Sequence, residues 1–379
     1  FVPVDPFDSS SESDTGLPGS QGEYSYSIRS IAVDRDYYKF RLDQGDVFGA
    51  NVFDGSRLEL YGPDGELLIG SAQDFTGIHP ANSPLPGGGD AALSYVIDTA
   101  GRYTLAVETS GDYLAELRAF RPVGDVPGRG TQVLFLDFDG GTVDTGIYGA
   151  PFGVATLSPL ADFLPDWGLD PSDEDAVIDA IIDVVAENLA SDIEAIGGND
   201  SFDIEIVDSR DPEPIGPLVS RIIVGGTIDE FGIGTVGIAQ SIDVGNFETS
   251  ETAVVLLDLL SAPVGSPNFI PELSLNSYEI APGASLIDLI GVGVGNVTAH
   301  EAGHFFANWH TDQFNNSPNI QDQGGNFVNT FGVGPDLVFG TADDVDVDFG
   351  RDVYVPNEGF AGVENTLTSV AFGLWSLDR

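Results

Sequence analysis

Residues 297–312 read VTAHEAGHFFANWHTD, and the spacing inside this stretch decides what the second half of the chain must build. In an α-helix, residues four apart share one face, so His300 and His304 present both imidazoles to one point. Glu301 stands about 100° further round, where it can reach a water at that point without itself binding an ion. His310 lies six residues past His304 and joins them only if the helix ends and the chain turns back. Three of the chain's four histidines fall within these eleven residues. Three imidazoles, with a fourth position left for water, make the ligand set of a catalytic rather than a structural zinc site. The pattern assigns His300, His304 and His310 as zinc ligands. It assigns Glu301 as general base toward a water whose pKa the metal lowers to ~7. The remaining histidine, His79 in Ile78-His79-Pro80, reads as an ordinary loop residue.

Working outward, the motif requires a helix over about Leu286–Asn308. An earlier helix is expected at Asp173–Ile196, with Ser172 as N-cap and Gly197 as its end. Asp173, Glu174 and Asp175 suit the positive N-terminal dipole. Val177, Ile181, Val184, Val185 and Leu189 recur at helical spacing. Val133–Phe138, Phe202–Val207, Arg221–Val224, Val236–Ile242 and Ala253–Leu260 read as strands. Strand, long helix, several strands and a second helix form an α+β pattern over residues 131–379.

The first third follows a different rule. Tyr37–Leu42, Arg57–Tyr61, Leu93–Ile97 and Tyr103–Val107 alternate as short strands, with turn signals such as Pro63-Asp64-Gly65 between them. Residues 23–122 are therefore expected to form an all-β sandwich. Residues 1–22, rich in Ser, Asp, Pro and Gly, read as a flexible leader, and 123–130 as a linker.

Composition sets the limits. The 379 residues exceed one ordinary core, so a multidomain chain is expected. The net charge is −48, with 61 acidic residues against 13 basic ones, and Lys39 is the sole lysine. Such a surface lacks the cations that neutralise phosphate, which argues against nucleic acid as a partner. It suits salty surroundings and divalent cations. Without cysteine there is no disulfide or thiol chemistry. No 18-residue apolar run exists to span a membrane. With no methionine anywhere, the chain reads as a processed product, as a matured secreted protein would be.

Three segments, Asp34–Asp46 (DRDYYKFRLDQGD), Leu58–Leu68 (LELYGPDGELL) and Ser94–Val107 (SYVIDTAGRYTLAV), resemble the bacterial pre-peptidase C-terminal (PPC) domain, a β-sandwich attached to secreted peptidases. The spacing HExxHxxxxxH resembles the metzincin clan of zinc peptidases. Together the two resemblances imply a bacterial-type secreted or cell-surface zinc endopeptidase acting on extracellular protein or peptide. They also imply substrate binding by strand addition along Gly237–Asp243. Two positions depart from the clan. Ala307 stands where it has glycine, at a cost of ~1 kcal/mol if φ is positive, unless Asn308 takes that turn. In Ser317–Asn326 (SPNIQDQGGN), Gln321 stands where the clan's methionine would sit, and Gln323 where a tyrosine would. These departures keep open a catalytically weak or inactive protein of the same fold, with a structural, adhesive or self-assembling role. A third reading replaces His310 by Glu364 as ligand, as in thermolysin-like enzymes.

A second metal is suggested by Gly334–Asp352, GPDLVFGTADDVDVDFGRD. Asp336, Asp343, Asp344, Asp346 and Asp348 crowd this loop, either as a calcium site or as solvated acids.

Overall fold

The structure, a computed structural model, describes residues 12–13, 20–31, 35–122, 130–149 and 153–374. The chain is multidomain and mixed, rich in antiparallel sheet and sparing in helix. In the first unit the alternating stretches become β1 (Glu12–Ser13), β2 (Ser20–Ile31), β3 (Arg35–Leu42), β4 (Val47–Phe53), β5 (Arg57–Tyr61), β6 (Leu67–Ser71), β7 (Ala91–Val96), β8 (Gly101–Glu108) and β9 (Asp112–Pro122). One sheet has the order β1-β2-β9-β4-β7. Its partner contains β6-β5-β8-β3, and all pairings are antiparallel. Side chains alternate across each strand, so Phe40, Leu42, Phe48, Leu58, Leu60 and Tyr103 meet in one core. Because β1 and the start of β2 are sheet, the stretch read as a leader is strand at residues 12–13 and 20–22. The rest of that leader, and 123–129 of the linker, lie outside the described residues.

The second unit begins with β10 (Gln132–Asp137) and the hairpin β11 (Gly141–Asp144) and β12 (Val154–Leu157). α1 (Glu174–Ala186) runs through a π-turn at Glu187–Ser191 into α2 (Asp192–Ile196). The helix is thus where periodicity puts it. Its start differs from expectation: a 3-10 turn at Pro171–Asp173 precedes it, and the Asp173 carboxylate, not Ser172, accepts the Asp170 N–H at 2.9 Å. Then come β13 (Ile204–Asp208), β14 (Val219–Val224), α3 (Ile228–Phe231), β15 (Gly237–Ala239), β16 (Thr252–Val255), β17 (Glu279–Ile280) and α4 (Leu286–Phe305). The main sheet has the order β13-β10-β14-β16-β15. It is parallel except for β15, which lies antiparallel at the edge.

Period two sorts this sheet's residues onto two faces. Leu134, Leu136, Ile222 and Val224 pack under α1 and α4, while Ile223, Val254 and Leu256 pack under the β11–β12 hairpin and Phe231. α1 and α4 touch closely because Gly291 and Gly295 carry no side chain, and a Cβ there would strike Ala180 and Val184. α4 starts with a capping box in which Ser285 Oγ accepts the Asp288 N–H and Asp288 accepts the Ser285 N–H, both at 3.1 Å. Ser285→Ala is expected to cost about 1 kcal/mol of stability, read as a lower urea midpoint at unchanged m-value.

The chain continues through α5 (Phe327–Thr330), β18 (Val338–Phe339), β19 (Arg351–Val353), β20 (Phe360–Asn365) and α6 (Thr366–Gly373). Here the chain returns to the first unit's sheet. β20 pairs antiparallel with β6, Phe360 opposite Ser71, and completes a six-stranded sheet β19-β20-β6-β5-β8-β3. Phe360, Tyr354, Trp309, Ala307 and Val244 are buried in the sandwich core. The second unit covers an edge the first would leave open, which is a standard remedy for unpaired strand groups.

Candidate metal centre

α4 carries His300 and His304 one turn apart, and the chain then reverses. The residue that takes the positive φ is Ala307, at 117°; Asn308 does not. Ala307 is 1% exposed and packs in the core with Trp309. Burial of its methyl, ~0.8 kcal/mol, offsets part of a strain of about 1–3 kcal/mol that glycine would avoid. The reversal brings His310 to the other two. Their ring centroids are 4.9, 5.2 and 4.8 Å apart, and one ligand nitrogen from each lies within 4.8 Å of the others. This group could hold a metal ion.

Each ring is anchored through Nδ1. His300 Nδ1 is 2.7 Å from Ile320 O, His304 Nδ1 is 2.8 Å from Asn308 O, and His310 Nδ1 is 2.5 Å from Glu358 Oε1. Each Nδ1–H donates to its oxygen, which leaves the Nε2 lone pair for a cation. Burial, then the His310 ring, pushes His300 down to about 3 and His304 well below the usual range, so both stay neutral and able to ligate. Glu358 also accepts from Gln323 Nε2 at 2.9 Å. Its position 48 residues past His310 carries no local signal, and sequence reading missed it.

Glu301 is 4% exposed. Burial alone pushes its carboxyl up to about 8, and a cation nearby would draw it down again. The carboxylate packs on Gly237 of β15, where a Cβ would come within 2.2 Å of Oε1. The edge strand therefore lies directly against the residue read as base. The carboxylate alternative, Glu364, accepts the Trp309 N–H at 3.2 and 3.3 Å and is not in the histidine group.

Gln321 lies beneath this site. It is fully buried, its Nε2 is 3.4 Å from His304 Nδ1, and its Oε1 has no hydrogen-bond partner. Gly303 makes the room for it, since a Cβ there would strike Oε1. A cleft of about 1070 Å³ opens over the histidines. Its walls include β15, Gln323–Gly325, Phe327 and, unexpectedly, Tyr148 from the β11–β12 connection and Gly77–Ala81 from the first unit.

The five aspartates of the acidic loop do not gather in one place. Asp344 accepts the N–H groups of Gly334, Gly340 and Thr341, and Asp343 accepts from Asp336 N and Thr341 Oγ1. Asp336 accepts the Val338 N–H. These three brace their own turn. Asp346 and Asp348 instead meet Glu187 from the π-turn, their oxygens within 4.8 Å of one another. Burial first, then Asp346 and Asp192, pushes Glu187 up to about 7 and Asp348 up to about 6. A folded state that holds protons more tightly than the unfolded chain loses stability as they leave. In dilute buffer Tm is therefore expected to fall as pH rises from about 4 to about 7, and added NaCl should recover only the smaller part that comes from repulsion by Asp346 and Asp192, since screening does not relieve burial. Scanning calorimetry across that range checks both.

No protein-family model matches the chain, and no curated protein does. Among solved structures, the chain is similar to PliG of Salmonella Typhimurium, a periplasmic lysozyme inhibitor of g-type lysozyme. The identity is 18%, with 31% of this chain and 96% of that one covered and a TM-score of 0.19. PliG of Aeromonas hydrophila is 14% identical over 31% and 94% of the two chains, at a TM-score of 0.18. At such scores the likeness carries no argument about function.

Proposed function

We propose that this chain is a secreted, bacterial-type zinc endopeptidase of the metzincin kind with a PPC-like sandwich in front of it. The observation that supports this most is the set of three imidazoles, each held by Nδ1 so that Nε2 converges beside the buried carboxylate of Glu301. Three imidazole nitrogens gathered within 4.8 Å of one another fit zinc, which takes imidazole readily. When bound, zinc supplies Lewis-acid polarisation of a peptide carbonyl and lowers the pKa of water. The chain's own residues do the rest. β15 offers the edge along which an extended peptide adds as another strand, setting its backbone beside Gly237 and Glu301. Glu301 takes a proton from the attacking water and delivers it to the departing amine nitrogen. Glu358, Asn308 and Ile320 keep the three rings from rotating. A calcium ion would be held by Glu187, Asp346 and Asp348 rather than by the whole aspartate loop.

A second reading is favoured by one observation, the unpartnered Oε1 of Gln321 under His304. A buried amide oxygen left unpaired costs on the order of 1–3 kcal/mol. A protein that keeps it has a floor unlike the clan's, as a non-catalytic scaffold with an adhesive or self-assembling role could. Metal analysis and casein hydrolysis on the full chain separate the two. One zinc per chain is expected, with hydrolysis lost to 1,10-phenanthroline and restored by added zinc. Absence of zinc, or hydrolysis indifferent to the chelator, would sink the peptidase reading.

A further inference from the structure

The 3-10 turn Thr76–Ile78 belongs to the first unit, yet the residues that follow it line the same cleft as the histidines and Glu301. The turn is tied down at several points. Ile78 O accepts the Ile242 N–H at 3.0 Å, and His79 Nδ1 donates to Ile242 O at 2.9 Å. The His79 ring meets Trp309 edge-on at 5.7 Å, and Trp309 immediately precedes the third histidine of the metal group. Burial lowers the His79 pKa, so the ring stays neutral. His79 is thus a structural bolt rather than a loop residue without role.

This places the turn on the line a substrate would follow. The segment that touches Glu301 at Gly237 reaches the turn at Ile242, five residues later. Five residues span at most about 17 Å, so the turn lies within about five extended residues of the contact between Gly237 and Glu301. Asp243 N–H, one residue on, donates to His304 O at 2.9 Å, which keeps this wall close to the centre. The wall is apolar: Ile78, 45% exposed, stands with Pro80, Ala81 and Ile242. Among the described residues lining the cleft none is Lys or Arg, and Glu301 and Asp322 are its only carboxylates. An exposed isoleucine in such a wall favours an apolar group over a charged one.

Resting on the peptidase reading above, we infer that the turn 77–81 is a substrate subsite. Ile78 and Pro80 receive a bulky apolar side chain of the peptide, on the side of the scissile bond that faces Ile242. The sandwich then selects substrates as well as stabilising the fold.

The test scans Leu, Ala and Lys through each position of a cleavable peptide, with kcat/KM read for wild type, Ile78→Ala and Ile78→Asp. Wild type is expected to prefer Leu over Ala roughly tenfold at one position away from the scissile bond. Ile78→Ala should narrow that preference, and Ile78→Asp should erase it and raise Lys relative to Leu there. Ile78 is half-exposed and bonds through its backbone, so both variants should keep the wild-type Tm within a few degrees. Active variants with the wild-type preference at every position overturn the subsite and leave the peptidase reading intact. No cleavage of any peptide by zinc-loaded wild type overturns the peptidase reading, and the subsite with it.

Discussion

Glu301→Ala is expected to lower the rate of casein hydrolysis by about a thousandfold, the middle of the range for loss of a general acid–base group, while one zinc per chain is retained. The split between the two readouts is the point. The carboxylate is directed at Gly237 of β15 and is not among the three converging nitrogen donors. Removing it should therefore leave affinity for the ion nearly unchanged. Glu301→Gln gives the companion result, because it keeps the volume in a site where the side chain is 4% exposed and removes only the ability to carry a proton. Both variants should lose activity alike. If Gln321 and the altered floor have already silenced the site, wild type will be as slow as the variants, and the scaffold reading stands.

Gly237→Ala is expected to lower kcat by about a hundredfold, with zinc content and fold unchanged. A Cβ at this position would sit 2.2 Å from Glu301 Oε1, 2.8 Å from Cδ and 3.0 Å from Cγ. Real Cβ atoms do not approach so closely, so either the strand or the carboxylate must move. The carboxylate is the softer partner, and a displacement of about 1 Å at a proton-transfer group is enough for a loss of this order. Stopped assays at saturating casein, with metal analysis alongside, read it directly. A Gly237→Ala protein with wild-type kcat would show that Glu301 works from a different rotamer than the one packed on β15. The result also bears on strand addition, since the same substitution leaves the backbone edge of β15 available to a peptide.

The helix that carries the motif was legible because its signal is local. Spacing of four residues in a helix places His300 and His304 together whatever surrounds them, and Glu301 follows from the same geometry. The sandwich strands were legible for the same reason, since alternation over Arg57–Tyr61 needs no knowledge of partners. Less was visible where two solutions had similar local cost. Asn308 tolerates positive φ better than alanine, yet Ala307 takes the turn, with its methyl buried in the core that holds Trp309 and Phe360. The aspartates at 336–348 looked like one cluster because they are near in sequence. In the turn, Asp343 and Asp344 found backbone N–H groups to accept, and Asp346 and Asp348 point toward a helix more than 150 residues earlier.

The sequence by itself determined that His300 and His304 share a helix face with Glu301 next to them, and it determined the two kinds of secondary structure, all of which rest on periodicities a few residues long. Only the tertiary structure decided the rest. It set which oxygens hold the three Nδ1 atoms, and which strand lies on Glu301. It brought a turn of the first unit into the cleft, and it paired β20 with β6 across almost 300 residues, Phe360 beside Ser71. The physical reason is that an edge strand or a buried imidazole nitrogen is satisfied by any group that arrives with the right geometry. Which group arrives depends on packing of the entire core, and no window of sequence contains that.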